Sequence, residues 1–138
     1  MGLTVVDAGI LIGFLDASDA HHENARRALA DASERGDEIL IPASALVECL
    51  VGPARRGNEA VAIALEFVAR FPIVVVPLDD AVAEAAARQR AKHGQRLRLP
   101  DALVVATAEV LDADVLITTD RGWPTRRELG LRSQLVAI

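Results

Sequence analysis

The sequence predicts an α/β protein, a three-layer α/β/α sandwich with a central parallel sheet of four to five strands. Short β-branched apolar runs alternate with longer helical segments along the whole chain. This alternation implies parallel strands with helices on both faces of the sheet. The 138 residues are about the size of one domain, and no repeat or linker divides them. We therefore expect a single domain over residues 1–138.

The N-terminal half predicts two strands and four helices, in the order strand, helix, helix, strand, helix, helix. Leu3 to Val6 is short, β-branched and apolar, which is typical of a buried strand. Gly36 ends the second helix and the pair Gly52 and Pro53 ends the third, since glycine and proline interrupt helices. The predicted strands are 3–6 and 39–41, and the predicted helices are 10–15, 22–35, 42–53 and 58–69.

The C-terminal half predicts three strands and two helices. Asp79 is placed to cap an alanine-rich helix that stops at Gly94. Pro100 and Asp101 open a second helix that is apolar on nearly every face, so we expect it to be central. The predicted strands are 73–76, which we expect to be buried, 115–117 and 134–137, and the predicted helices are 79–93 and 100–111.

The composition indicates a protein outside the membrane. The longest apolar runs, 103–106 and 73–77, are far shorter than the roughly 20 residues that cross a bilayer. The start of the chain lacks the basic segment of a signal peptide, which predicts a cytoplasmic location. A single cysteine, Cys49, excludes an internal disulfide and a multi-cysteine metal site.

The net charge of −5 at first argues against a nucleic-acid partner. The acid excess, however, lies in residues 1–50, with 9 acids and 3 bases, whereas residues 51–138 carry 11 acids and 12 bases. Fourteen of the 15 basic residues are arginine, which suits bidentate phosphate contacts. The densest basic stretch contains Arg88, Arg90, Lys92, Arg96 and Arg98. It is either a solvated surface or a region that binds the phosphates of a nucleic acid beside the site.

Two carboxylates follow predicted strands. Asp7 comes directly after the first strand, and Asp120 follows the fourth after Thr118 and Thr119. Ligands of open parallel sheets bind beyond the carboxyl ends of the strands, so both side chains are expected at one edge. Each has a simpler explanation, because Asp7 can cap the next helix and Asp120 can cap a turn into Gly122.

Two further acids lie in apolar helices. Glu48 sits between Ala45 and Val51 with no basic residue before Arg55, which predicts a buried carboxylate. Burial of an unpaired carboxylate costs several kcal/mol, so Glu48 should be protonated or find a cation, either a metal or an arginine from elsewhere in the fold. Asp101 occupies a helix start, where an acid is favoured in any case.

The four acids as a set predict a metal site. If they converge, their mutual repulsion raises their pKa values unless a divalent cation neutralises them. Hard oxygen ligands without His or Cys favour Mg²⁺, or else Mn²⁺. Such a site suits hydrolysis of a phosphodiester by metal-activated water, with Glu48 as the candidate that accepts the proton of the water.

Four blocks of the sequence resemble the PIN-domain ribonucleases, specifically the VapC-type toxins of bacterial type II toxin–antitoxin pairs. The blocks are 5–12, 45–48, 99–108 and 116–123. The resemblance implies a Mg²⁺-dependent endoribonuclease, usually a homodimer, that a small cognate antitoxin holds inactive. It maps the acidic quartet of the family onto Asp7, Glu48, Asp101 and Asp120, with Thr118 as an accompanying hydroxyl. Ala8 departs from the Ser or Thr that many members have there.

Two other classes of function remain as alternatives. A receiver-like signalling domain also holds Mg²⁺ in an acidic pocket, but it needs paired acids after the first strand, where Asp7 stands alone, and a lysine after the last. A non-catalytic PIN-fold binding module usually lacks part of the quartet, which is complete here. Trp123 either stacks on a base of a bound RNA or packs its own loop.

Overall fold

The computed structural model describes residues 2–138 and has one five-stranded sheet with every strand pair parallel. The strand order is β3-β2-β1-β4-β5. This confirms the predicted α/β architecture and its upper estimate of five strands. The strands are β1 Leu3–Val6, β2 Glu38–Pro42, β3 Val74–Val76, β4 Val115–Thr118 and β5 Gln134–Ala137.

Seven helices connect the strands in the described residues. Six of them match predicted helices, with bounds shifted by one to three residues. The short last helix was not predicted; a capping box between Thr125 and Glu128 begins it and Gly130, in the left-handed conformation, ends it. The helices are α1 Ala8–Leu15, α2 His22–Glu34, α3 Ala43–Arg56, α4 Asn58–Arg70, α5 Asp80–His93, α6 Leu99–Val110 and α7 Arg126–Leu129, with a 3₁₀ turn at Gly94–Arg96.

Two helix bounds differ for identifiable reasons. The first helix begins at Ala8 rather than at residue 10, because the Asp7 side chain caps it. The third helix continues through Pro53 to Arg56, where a stop at proline was expected. Gly57, with φ of 120°, ends it, and its N–H donates to the carbonyl of Pro53. A proline lacks one donor but leaves its own carbonyl available to the next turn.

The prediction of a buried third strand is wrong for β3 itself. Val74 is 42% exposed and Val75 is 37% exposed, whereas Ile73, one residue earlier, is buried. The reason is topological, since β3 stands at one edge of the sheet and only one side of it is paired. A run of β-branched residues predicts a strand but does not predict which strand lies at the edge.

The strand order places β1 at the centre of the sheet. The chain adds strands first on one side of β1 and then on the other. The chain runs from β1 outward to β2 and β3, then returns through α5 and α6 to β4 on the other side of β1. Because such crossovers are right-handed, the connection that follows β1 and the connection that returns from β3 to β4 are expected on opposite faces of the sheet. The carboxyl ends of β1 and β4 are adjacent, with Val6 opposite Ile117.

The sixth helix is central, as its apolar sequence predicted. It contacts β1, β2 and β4 as well as α3 and α5. Six of its twelve residues are buried: Ala102, Val104, Val105, Ala106, Thr107 and Ala108. Its first turn, which carries Asp101, is therefore fixed beside the sheet edge. None of the helices in residues 2–138 has the length and apolar character that a membrane crossing requires.

Candidate functional site

Asp7 is the most constrained carboxylate of the protein's candidate site. It follows β1 and caps α1, with Oδ1 accepting a hydrogen bond from the Ile10 N–H at 3.1 Å. Its other oxygen, Oδ2, accepts from the Thr118 hydroxyl and from the Thr119 N–H. Only 7% of the residue is exposed, and this burial raises the pKa of Asp7 above its ordinary value. Asp7 is therefore both a helix cap and a member of the site.

Thr118 links Asp7 to the loop that follows β4. Its side chain is fully buried, and its hydroxyl donates to Asp7 while it accepts from the Asp120 N–H at 2.9 Å. The Asp120 Oδ1 in turn accepts from the Gly122 N–H at 2.7 Å. These bonds hold the loop in a defined turn, so the exposed Asp120 carboxylate stands beside the buried Asp7.

Gly9 allows α1 to approach this loop closely. A Cβ at Gly9 would lie 2.0 Å from Oγ1 of Thr119 and 3.1 Å from its Cβ. Both atoms belong to a short, β-branched side chain that cannot move away without shifting the loop. The small residue after Asp7 and Ala8 is thus a packing requirement of the site.

Asp101 and Glu48 complete the cluster. Asp101 stands half-buried in the first turn of α6, and its pKa is raised to about 6. Burial is the larger cause, and the negative charges of Asp120, Asp7 and Glu48 add to it. Burial and the charge of Asp7 also raise the pKa of Glu48. The negative charges of Asp7, Glu48 and Asp120 thus act on other acids of the predicted set.

The expectation that Glu48 is buried is wrong. Ala45 and Cys49 form the face of α3 that packs on the core, and Glu48, next to Cys49, is exposed. It lies on the rim of the cluster, beside a groove of about 440 Å³ that Ile12 and Gly52 also line. Apolar neighbours in the sequence predicted burial, but α3 has one face against the core and the other open.

Cys49 is a core residue. Its Sγ donates to the carbonyl of Ala8 at 3.6 Å, and only 6% of the residue is exposed. Burial raises the pKa of this thiol to about 12, and the nearby charges of Glu48 and Asp7 contribute. A thiol held in its protonated form is a poor metal ligand and a poor nucleophile.

The chemistry of the donor set fits a hard divalent cation. The cluster offers carboxylate oxygens, and within residues 2–138 none of the four acids takes part in an ion pair. Across the same residues, no three His, Cys, Asp or Glu side chains are arranged closely enough to hold a metal ion as they stand. A cation at this edge would therefore draw the carboxylates together from their present positions.

Trp123 packs its loop and is not available for stacking on a base. It is 9% exposed and belongs to the hydrophobic core, three residues after Asp120. Its indole nitrogen is buried without a hydrogen-bond partner of good geometry among the described residues. The sequence showed one aromatic residue near the site, but nothing in it indicated a buried donor without an acceptor.

Most of the basic stretch is engaged in holding the fold. Arg88 pairs with Glu84 at 2.7 Å, Arg90 donates to the carbonyl of Leu97 and Lys92 donates to the carbonyl of Glu128. Arg96 pairs with the Glu128 carboxylate at 2.8 Å, which lowers the pKa of Glu128 to about 2.

Arg98 is the exception within this stretch. It is exposed, and in the described part of the chain its side chain has no hydrogen bond or ion pair. It stands at the N-cap position of α6, three residues before Asp101. Of the five basic residues, Arg98 is therefore the one best placed for a phosphate near the acids.

Comparison with solved structures shows the same fold in toxins of toxin–antitoxin systems. VapC20 of Mycobacterium tuberculosis, described as a toxin that cleaves the sarcin-ricin loop, is 20% identical with a TM-score of 0.67, and the match covers 84% of this chain and 87% of that one. A toxin–antitoxin complex from Klebsiella pneumoniae is 22% identical with a TM-score of 0.68, covering 88% and 96%. VapBC2 from Rickettsia felis, solved with a promoter DNA fragment, is 16% identical with a TM-score of 0.69, covering 99% and 98%.

A family model gives the relationship by sequence. No curated protein sequence matches the chain significantly. The family model described as PIN domain, however, matches residues 4–128, which include all four acids and Thr118. Because this match spans most of the 138 residues, the chain belongs to the PIN domain family.

Proposed function

We propose that the protein is a metal-dependent endoribonuclease that hydrolyses RNA phosphodiester bonds and acts in the cytoplasm as the toxin of a type II toxin–antitoxin pair. The observation that carries this proposal is the set of four acids, which have no ion-pair partners among residues 2–138 and whose negative charges, together with burial, raise the pKa values of Asp7, Glu48 and Asp101. Maintaining such a cluster costs stability, and a bound divalent cation offsets that cost.

The chain supplies four side chains that would hold the cation, one of which would also move a proton. Asp7, Asp101 and Asp120 would be the ligands, and Glu48 would share in binding from the rim. Thr118 keeps the Asp7 Oδ2 in place through its hydroxyl. Glu48 is the least buried of the cluster's perturbed acids, so its carboxylate can accept the proton of an attacking water. Mg²⁺ or Mn²⁺, when bound, lowers the pKa of that water and offsets charge on the leaving oxygen.

The comparisons support the reaction class and the kind of partner. Nucleases of the PIN family generally depend on a divalent metal. The structural neighbours include a toxin described as cleaving RNA of the sarcin-ricin loop and toxins solved with antitoxins. We therefore propose RNA as the substrate and a small cognate antitoxin as the partner. The homodimer remains the assembly that the family resemblance implies.

An exposed apolar surface supports a protein partner. Ile63 is 61% exposed and Phe67 is 43% exposed, both on α4. A groove of about 300 Å³ runs along this surface between α1 and α4 and is lined by Phe14 and Pro53. Contiguous exposed apolar surface of this kind marks protein interaction sites.

The test is RNA cleavage by the purified chain and by the Asp7→Asn variant. With Mg²⁺ the wild-type chain should cleave single-stranded RNA, EDTA should stop cleavage, and renewed Mg²⁺ should restore it. Asp7→Asn keeps a polar side chain of the same size and should lower the rate by at least about 100-fold, the loss typical of a removed transition-state contact. Cleavage that survives both chelator and substitution would contradict the proposal.

A non-catalytic PIN-fold module is the alternative that the same assay distinguishes. In that case the wild-type chain would bind RNA or its partner without cleaving any RNA in Mg²⁺ or Mn²⁺. Glu48→Gln is the matched test of the proton acceptor. It should leave binding of the cation within a few-fold of wild type while reducing cleavage, because its amide cannot take up a proton.

A further inference from the structure

The indole N–H of Trp123 is a buried donor with no partner. The residue is 91% buried, and its Nε1 lacks a hydrogen-bond acceptor of good geometry in residues 2–138. Leaving a buried donor unsatisfied costs roughly 1–3 kcal/mol, and such groups are few in folded proteins. A phenylalanine would fill the same space without that cost, so the indole nitrogen needs an explanation.

The position of the Trp123 ring in the fold gives an explanation for this indole nitrogen. Trp123 is carried by the turn that Gly122 and Asp120 close, beside the first turn of α6. From there the Trp123 side chain lies near enough to the Asp101 carboxylate to lower the pKa of Asp101, against the larger effects of burial and of the charges of Asp120 and Asp7. The donor that lacks an acceptor of good geometry is thus a neighbour of one of the four acids.

We propose that Trp123 is a positioning residue for the divalent cation: its N–H donates to one oxygen of Asp101 while the other oxygen binds the ion. This inference rests on the proposed metal site. A carboxylate has two oxygens, and ligating carboxylates are generally held by a second hydrogen bond from behind. In a site that holds the cation, the Asp101 oxygen that does not bind the ion would accept a hydrogen bond from the N–H. The donor is left without a partner until the site is loaded.

The first test compares Mn²⁺ affinity in the wild-type chain and in Trp123→Phe by titration calorimetry. Phenylalanine keeps the apolar ring but removes the N–H. The affinity should fall by about 10-fold, the lower end of the loss caused by removing such outer hydrogen bonds. Leu131→Ala, which removes buried packing on the chain after α7, is the control and should bind Mn²⁺ within about twofold of wild type. Equal affinity of Trp123→Phe and wild type would overturn the inference.

The second test observes the N–H itself and does not depend on any variant folding. The chain has one tryptophan, so ¹⁵N-labelled protein gives a single indole N–H resonance. On addition of Mg²⁺ the indole proton should move downfield, as expected for a newly formed hydrogen bond to a carboxylate. If Mg²⁺ binds and the resonance does not move, Trp123 has no such role. If neither ion binds the wild-type chain at all, the proposed metal site fails first.

Discussion

Asp101 combines partial burial with three acidic neighbours. These surroundings raise its pKa to about 6, well above that of an unfolded aspartate. Near neutral pH the carboxyl is ionised in both the native and the unfolded chain, but only the native chain keeps it close to Asp7, Glu48 and Asp120. The metal-free protein is consequently destabilised by its own candidate site.

Replacing Asp101 with asparagine should therefore stabilise the metal-free protein. A raised native pKa means that stability is lost as pH rises from about 4 to about 6, and the amide avoids that loss. The gain at about pH 7.5 in EDTA should be ~1 kcal/mol once the half-exposed position is allowed for, or a rise in Tm of about 4 °C. At about pH 4 the gain should vanish.

Mg²⁺ provides the control for this change. It should raise the Tm of the wild-type chain at about pH 7.5 and have little effect on Asp101→Asn, because the variant has lost a charged ligand. Thermal unfolding followed by circular dichroism measures both effects. A variant with the wild-type Tm at neutral pH would show that the acids do not repel one another appreciably.

Single residues of the site were predictable where they follow strands. Asp7 and Asp120 were placed correctly because the carboxyl ends of parallel strands lie at one edge. The exposure of Glu48 could not be predicted in this way. The apolar residues around it in the sequence do not show which face of α3 packs against the core. The donor of Trp123 was missed, since only three-dimensional packing shows that it lacks an acceptor.

Helix α1 and the loop after β4 are in contact at Gly9. Gly9→Ala should destabilise the protein by ~1–3 kcal/mol, because the new methyl group would overlap Thr119 and displace the loop that carries Asp120. Chemical denaturation measures the change. Gly52→Ala on α3 is the control, since no atom lies within 4 Å of its new Cβ. That control should be neutral or stabilising by up to ~1 kcal/mol, and similar results for both variants would contradict close packing at Gly9.

The basic residues before α6 are of two kinds. Arg88, Arg90, Lys92 and Arg96 have hydrogen-bonded or ion-paired side chains, whereas the side chain of Arg98 has no such partner among the described residues. In an Asp7→Asn background that does not cleave, Arg98→Ala should weaken RNA binding and lower the salt slope of the binding constant by about 1, as expected for one lost phosphate contact. Arg96→Ala should leave the slope unchanged, because Arg96 is already paired with Glu128. Equal slopes for the two variants, measured by fluorescence anisotropy over a range of salt, would refute this assignment.

Helices were predicted well where the residues at their two ends determine where they begin and stop. The Asp79 side chain caps α5 by accepting from the Val82 N–H at 3.0 Å, and α5 ends at Gly94, both as the sequence indicated. The short α7 and the exposure of β3 were not foreseen. A four-residue helix gives too little periodicity, and the exposure of β3 follows from its place in the sheet rather than from its residues.

At the scale of the whole molecule, the order of the strands determines which acids that are distant in the sequence become neighbours in space. Asp7 and Asp101 are far apart in sequence, but the fold brings the charge of Asp7 near enough to Asp101 to raise the pKa of Asp101. Alternation of strands and helices predicted the layers and the parallel sheet. It did not give the order of the strands, and convergence of all four acids on one cation stays a prediction.

The exposed apolar surface on α3 and α4 makes a prediction about the partner. The chain co-expressed with the product of the adjacent open reading frame should co-purify with it, and Ile63→Asp should abolish co-purification because a charged side chain replaces apolar surface that the partner would cover. Val110→Asp, at another exposed apolar position, is the control and should still co-purify. Co-purification of Ile63→Asp at the wild-type yield would place the partner elsewhere.

The central claim is that the four acids at the carboxyl edge of the sheet share a divalent cation. The most direct measurement is anomalous diffraction from a crystal of the wild-type chain grown with Mn²⁺. We predict one or two anomalous peaks with carboxylate oxygens of Asp7 and Asp101 at about 2.0–2.3 Å, the distance typical of small hard divalent ions. A crystal with Mn²⁺ bound at another surface and no peak at these acids would contradict the account.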